Sequence, residues 1–446
     1  MRGASPNRSC QTEGSGDVLG TTTGASRGGN VTSHLSDAER KRGIVVLMAT
    51  TFMMYAGFFM VIPLLSVHYV DGLGWSAGFL GLVLGARQLV QQGLAFAGGV
   101  IADRVGAKAP IVAGMFVRGL GFGGMAWADT GSVLFATAIL AALGGALFEA
   151  PRSAGIAALT TEANRSRVYG LAGMIGGLGL TVGPLLGAFL LRFDFAVVAL
   201  VSGSVYMVTT VVTWVGLPAV RVATGGPGRL TAGLGMAVRD RTFVAFTILG
   251  MGVWFMWVQL TISLPLAATA IAGTSDAVAW LYLLTAGLTI TLQYPLIRLA
   301  ERRLRPLPIL MVGTALMAAG LATVGLVPAI GPLLAGVAIF AVGSVLAQPS
   351  LQTVTASLAN PAAMGAFFGV GMYALAVGGG LGNVLGGYLY GVGQRLDLPA
   401  LPWLVFAAVG FATAAGFWAL DAARQRAAAL GPDQETVIVG PVSRPR

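Results

Sequence analysis

The feature that most constrains this chain is a series of about twelve apolar runs, each close to the roughly 20 residues that a helix needs to cross a bilayer. They lie near 43–67, 75–101, 109–128, 132–160, 166–191 and 195–217, then 242–268, 276–298, 307–327, 331–358, 364–392 and 400–420. Inside lipid, each backbone N–H and C=O must find a partner within the protein, which restricts spanning segments to helices or closed barrels. Runs of this length predict helices. Composition agrees: 56% of residues are hydrophobic, 10% are charged, and the mean hydropathy is +0.80. A soluble domain carries about 25% charge, and this much apolar surface does not fit inside a water-soluble core. The expected fold class is an all-α integral membrane protein whose first partner is the lipid bilayer.

A net charge of +10 would suggest nucleic acid in a soluble protein. Here the cations sit mostly in loops and tails, and no nucleic-acid partner is expected. They cluster at Arg40-Lys41-Arg42, Arg104 with Lys108, Arg165 with Arg167, Arg221 to Arg241, Arg302-Arg303 with Arg305, and Arg424 with Arg426. The alternate loops carry Asp71, Asp129, Arg192 with Asp194, Asp276, and Arg395 with Asp397. The positive-inside rule places both termini in the cytoplasm, as an even helix count requires. Residues 1–42 read as a polar cytoplasmic tail and 421–446 as a second one. The first tail is not read as a signal peptide, because the run after Arg42 is too long for one. Cys10 is the only cysteine, and the two histidines are His34 and His68. No metal site, catalytic constellation or phosphate-binding loop is expected.

The two halves echo each other. Ile101-Ala-Asp103-Arg104 returns as Leu299-Ala-Glu301-Arg302, and Pro151 returns as Pro349. Gly183-Pro184-Leu-Leu-Gly187-Ala188 returns as Gly382-Asn383-Val-Leu-Gly386-Gly387. Three matches in order favour duplication of a six-helix unit. The expected organisation is a bundle over 43–217, a cytoplasmic linker over 218–241 and a second bundle over 242–420.

Between the second and third runs the chain reads Gly99-Val-Ile-Ala-Asp103-Arg104-Val-Gly106-Ala-Lys108. Glycines suit a tight hairpin, an acid suits a helix N-terminus, and cations suit the cytoplasmic face. This string resembles the signature loop of the major facilitator superfamily of secondary transporters. In the fifth run, Gly179-x-x-x-Gly183-Pro184-x-x-Gly187-Ala188 resembles the antiporter motif of drug/proton exchangers, with Ala188 in place of its last glycine. Ordinary small-residue packing is the alternative reading. Phe58-Phe59 through Trp75, Arg87-Gln88-Leu-Val-Gln91-Gln92-Gly93 and Leu147-Phe148-Glu149-Ala150-Pro151-Arg152 together look like the MdtH-type branch of multidrug-resistance efflux transporters. The specific likeness lies in the first half of the chain. It implies two parallel six-helix bundles around a central cavity, in the bacterial inner membrane. It also implies export of small amphipathic drugs driven by the proton motive force. No cofactor is expected, and the expected state is a monomer. The wider drug/proton group often has an arginine early in helix 4. Here that stretch is Ala138-Ile-Leu-Ala-Ala, so that arginine's role does not carry over.

Charges inside spans are the natural site candidates, because each costs roughly 2.5–3.5 kcal/mol at the bilayer centre. Arg87, Arg118, Glu149 and Arg152 qualify. Glu149 is the one acid deep in a span, and its spacing from Arg152 places both on one helix face. Two readings stay open: a structural ion pair of Glu149 with Arg152 and Arg118, or a carboxylate that takes up and releases the coupling proton. Candidates for the cavity wall are Tyr55, Phe59, Gln88, Gln91, Trp254, Trp257, Gln259, Tyr282, Gln293, Gln348, Gln352, Tyr373 and Asn383, with Met53, Met54 and Met60 as adaptable apolar surface. The conformational gate is expected at Gly99, Asp103, Arg104, Gly106 and Lys108. A dedicated metabolite importer or exporter of the same architecture is the runner-up. A polytopic membrane enzyme or lipid-handling protein would instead need acids or histidines clustered at an interface.

Overall fold

The computed structural model describes residues 35–219, 227–360 and 363–429. Most of both expected tails, with Cys10 and His34, lies outside the described residues, as do linker residues 220–226 and the side chain of Asp103. The described elements are helices, and no strand occurs among them.

Among the described residues, eleven helical stretches are long and apolar enough to span a membrane. These are α1 (Asp37–Gly72), α3 (Lys108–Trp127), α4 (Gly131–Leu159), α5 (Glu162–Leu191), α6 (Phe195–Gly216), α7 (Arg241–Ala272), α8 (Asp276–Glu301), α9 (Pro306–Leu326), α10 (Ile330–Leu358), α11 (Ala366–Arg395) and α12 (Leu401–Ala429). The expected twelfth, α2, is broken into Ala77–Gly93 and Ala95–Val105. At the break the Leu94 N–H still donates to the Val90 carbonyl at 3.1 Å, so the helix bends there without ending.

Three boundaries differ from expectation. α1 begins at Asp37, six residues inside the expected tail. Ser36 and Glu39 close a capping box: the Ser36 N–H donates to Glu39 Oε2 at 2.8 Å and the Glu39 N–H to Ser36 Oγ at 3.3 Å. That motif starts a helix before the apolar run does. α12 continues past 420, and Arg305 from the α8–α9 loop pairs with its Asp421 at 3.1 Å. The linker, expected as a connector, contains a helix over Pro227–Arg239 that packs on the start of α11.

The two halves repeat one packing scheme. α1 packs on α5 and α6, α3 on α4 and α6, and α2 on α4. Six helices later, α7 packs on α11 and α12, α9 on α10 and α12, and α8 on α10. Glycine sets the closest contacts. On α5, a Cβ at Gly179 would lie 2.8 Å from the Phe52 carbonyl oxygen and one at Gly183 would lie 2.6 Å from that of Ala56, while Gly187 abuts that of Met60. On α11, Gly378 and Gly382 meet the Met251 and Phe255 carbonyls of α7 in the same way, while Gly386 meets the Gln259 side chain. Two bare backbones thus approach one turn after another, as membrane packing with small residues allows.

The halves meet through α2 on α11 and α5 on α8. Away from the end that holds residues 35 and 429, they are tied together. Arg192 binds Asp276 at 3.0 Å, and Thr269 Oγ1 donates to Asp71 Oδ2 at 2.5 Å. Gly81 and Gly387 sit against each other's helices. Towards the termini α5 and α8 part, leaving a cleft of about 1250 Å³ between residues 170–178 and 289–301. The molecule is closed at one end and open at the other.

Candidate functional site

Helical periodicity builds the chamber between the halves. On α2, Leu84, Arg87, Gln88 and Gln91 recur at spacings of three and four, so they share one face and turn inward together. α1 contributes Met54, Tyr55, Phe58, Phe59 and Ile62, α3 contributes Arg118, and α4 contributes Glu149 just after the turn at Leu147-Phe148. The second half supplies Trp254, Trp257, Val258, Thr261, Gln348, Met372, Leu375 and Asn383. They enclose about 300 Å³. A neighbouring space of about 350 Å³ shares Trp254, Trp257 and Gln348 and adds Gln293 and Gln352, leading towards the α5–α8 cleft.

The charges are unevenly partnered. Arg152 Nη2 meets Glu149 Oε2 at 3.4 Å along one helix, with Glu149 30% exposed towards the chamber. Arg118 does not join that pair, contrary to the three-membered ion pair considered above. Its Nε donates to the Tyr206 hydroxyl at 3.1 Å, and that hydroxyl donates to the Met54 carbonyl at 2.8 Å. Tyr206 was not singled out from the sequence. A tyrosine in an apolar run reads as packing until its hydroxyl is seen to link α1, α3 and α6. Arg87 donates to Gln91 Oε1 at 2.9 Å and to Gln88 Oε1 at 3.1 Å.

Of the expected wall residues, Tyr55, Phe59, Gln88, Gln91, Trp254, Trp257, Gln348 and Asn383 line the chamber, and Met54 joins them. Three candidates sit elsewhere. Gln259 is fully buried between helices: its Nε2 donates to the Phe255 and Gly382 carbonyls at 2.9 Å each, and its Oε1 accepts from Ser263 at 2.7 Å. Saturated in this way, it ties α7 to α11. Tyr282 is likewise buried, its hydroxyl donating to the Leu260 carbonyl at 2.8 Å. Tyr373 is exposed on α11, while its neighbours Met372 and Leu375 face inward. Met60 is in the core of the first half, and Met53 accepts from Thr209 at 3.3 Å.

In the α2–α3 loop, Gly106 ends α2 with φ +87°, a left-handed conformation that favours glycine. Arg104 is exposed and Lys108 opens α3. Gly99 has ordinary room beside Ala150, at 3.5 Å. The close approach to α4 falls one residue earlier, where Gly98 abuts the Ala146 backbone. The ties at the closed end, Asp71–Thr269 and Arg192–Asp276, were also missed. Each joins loop or helix-end residues far apart in sequence, and a sequence reading of single spans carries no signal for such pairs.

The chain matches the Major Facilitator Superfamily over residues 47–383. It is 39% identical over 397 residues to the Multidrug resistance protein MdtH of Yersinia enterocolitica, covering 89% of this chain and 99% of that one. The same protein of Yersinia pestis gives the same identity and coverage. Among solved structures, a POT family transporter in complex with a thioalcohol-conjugated peptide superposes with a TM-score of 0.72 at 14% identity, covering 85% of this chain and 96% of that chain. A bacterial homologue of the human lysosomal transporter Spinster, inward-facing and unoccupied, gives 0.67 at 15%, covering 87% and 96%. The fold repeat, the central chamber and these likenesses agree: the chain is a multi-pass membrane transporter, not an enzyme, and it belongs to the major facilitator superfamily.

Proposed function

We propose that this protein exports small amphipathic molecules across a bacterial inner membrane in exchange for protons, by alternating access. The supporting observation is a chamber at the seam of two repeats, closed at one end, with one carboxylate, Glu149, on its wall. The basic loops and both termini belong on the cytoplasmic side, so the open end faces the cytoplasm and receives the substrate. The name of the MdtH relatives supports drugs as the substrate class.

Glu149 is the coupling residue. Protonation from outside would release Arg152, and deprotonation towards the cytoplasm would restore the pair. A proton moving inward gains about 2.3 kcal/mol per 100 mV, enough to drive substrate uphill by well over tenfold when the two movements are linked. Arg152 positions Glu149, whereas Arg87 and Arg118 set the field around it. Asp103 is assigned to hold the cytoplasmic ends together in the opposite state, with Arg104, Gly106 and Lys108 shaping the hairpin. Gly179, Gly183, Pro184 and Gly187 keep α5 sealed on α1 against ion leak. The test is export of an amphipathic dye by proteoliposomes with an imposed pH gradient. Dye accumulation against its own gradient that collapses with a protonophore is expected, and protonophore-insensitive accumulation would overturn the coupling.

A further inference from the structure

The chamber holds more positive than negative charge, and its surplus lies in one place. Arg87 and Arg118 are 4% and 2% exposed. Their guanidinium groups share a single acceptor, Gln91 Oε1, at 2.9 Å from Arg87 and 3.5 Å from Arg118. Both also lie over the Phe58 ring, at 4.8 and 5.2 Å from its centre. The ion pairs among the described residues are Arg152–Glu149, Arg192–Asp276 and Arg305–Asp421, and neither Arg87 nor Arg118 belongs to one. Arg87 Nε is buried with no partner.

Guanidinium groups stay charged in proteins. Buried charges are ordinarily paired, and these two like charges repel each other while their hydrogen-bond acceptors, Gln88, Gln91 and Tyr206, are all neutral. An anion completes such an arrangement. The guanidinium fork matches carboxylate, sulfonate or phosphate oxygens two at a time. The opposite wall is neutral: Trp254 and Trp257, set edge to face at 5.6 Å, with Thr261, Met372, Leu375 and Asn383. Polarity is thus split across the chamber, with cations on the α2–α3 side and an aromatic shelf on α7.

We propose that the substrate is an amphipathic organic anion, its acidic group held by Arg87 beside Arg118 and its apolar body laid against Trp254 and Trp257. This rests on the transport reading above and narrows its substrate class. The test uses the full chain in nanodiscs and three probes of one shape: 2-naphthoate, 2-naphthamide and 2-naphthylmethylammonium. Equilibrium dialysis gives the three affinities. 2-Naphthoate is expected to bind about tenfold more tightly than the amide, with the ammonium weakest, as a bidentate charge-assisted contact predicts. In Arg87→Gln the naphthoate-to-amide ratio falls to within about twofold, with continued binding of the amide showing an intact chamber. Should that variant not fold, the wild-type ratios alone decide. Equal affinities, tighter binding of the ammonium, no binding of naphthoate, or an unchanged ratio in Arg87→Gln would each overturn the inference. Flux separates it from the transport reading: liposomes that pump the ammonium but not naphthoate leave export standing and remove the anion. A naphthoate preference without uphill flux of any probe does the reverse.

Discussion

The two halves of this transporter share a skeleton and differ in chemistry. Backbone contacts recur, with Gly179 and Gly183 against α1 mirrored by Gly378 and Gly382 against α7; at the third position Gly187 meets the Met60 backbone and Gly386 the Gln259 side chain. The chamber walls do not recur. The first half presents Arg87, Arg118 and Glu149, while the second presents tryptophan, glutamine, threonine and asparagine. Even at Pro184 the partner position holds Asn383, whose Nδ2 bonds back to the Gly379 carbonyl at 3.0 Å. Duplication preserved what packing needs from both bundles. Charge was kept on one side only, because a charge within the membrane is costly wherever it has no task.

The strongest test of that division is Glu149→Gln. It keeps the shape of the side chain and removes the charge, and it is expected to abolish uphill export while downhill exchange continues. Substituting Gln348 by Ala on the neutral wall should alter apparent affinity and leave coupling intact. Transport against a gradient as a function of pH measures both. Intact, pH-responsive uphill export by Glu149→Gln would leave its bond to Arg152 as purely structural and reduce the chemical difference between the halves to Arg87 and Arg118.

Next in size is a paired test of the shared skeleton. Gly183→Leu and Gly382→Leu each push a side chain into a backbone already in contact, Ala56 in one half and Phe255 in the other. Overpacking of this kind costs about 1–3 kcal/mol. Both variants should lower the thermal midpoint of the purified protein by similar amounts, and Gly183→Leu should also raise proton leak. If only one half is sensitive, the repeat is geometric without being energetic.

A smaller effect is expected at Gly98. Its neighbour Gly99 has room for a methyl group, whereas Gly98 meets the Ala146 backbone. Gly98→Ala should therefore impair export more than Gly99→Ala, with expression levels as the control. The opposite ranking would mean that the close approach of α2 to α4 matters less than the loop's own conformation.

The smallest effect concerns the tie between the halves. Arg192 and Asp276 are 61% and 37% exposed, and an exposed pair contributes roughly 0.2–1 kcal/mol. Arg192→Ala should shift the balance towards the state open at this end by no more than about fivefold. Labelling of a single cysteine placed near residue 276, in a background with Cys10 replaced by serine, reports that shift. No change in labelling would assign closure to the α2–α11 glycine contact instead.

Much was legible in the residues because length and hydropathy are local. A run long enough and apolar enough must cross the bilayer as a helix, whatever surrounds it. The approximate spans, the charges within them at Arg87, Arg118, Glu149 and Arg152, and the echo of Gly183 in Gly382 followed from the sequence by itself. Tertiary structure decided which neighbour each side chain met. Lipid tails are as apolar as leucine, so apolar pattern does not distinguish a helix face turned to lipid from one turned to protein. That is why Gln259 was expected at the cavity and is locked between α7 and α11, and why Arg118 turns to Tyr206 and away from Glu149. It is also why the ties from Asp71 to Thr269 and from Arg192 to Asp276 came only from the fold, which brings the two bundles together at one end and parts them at the other.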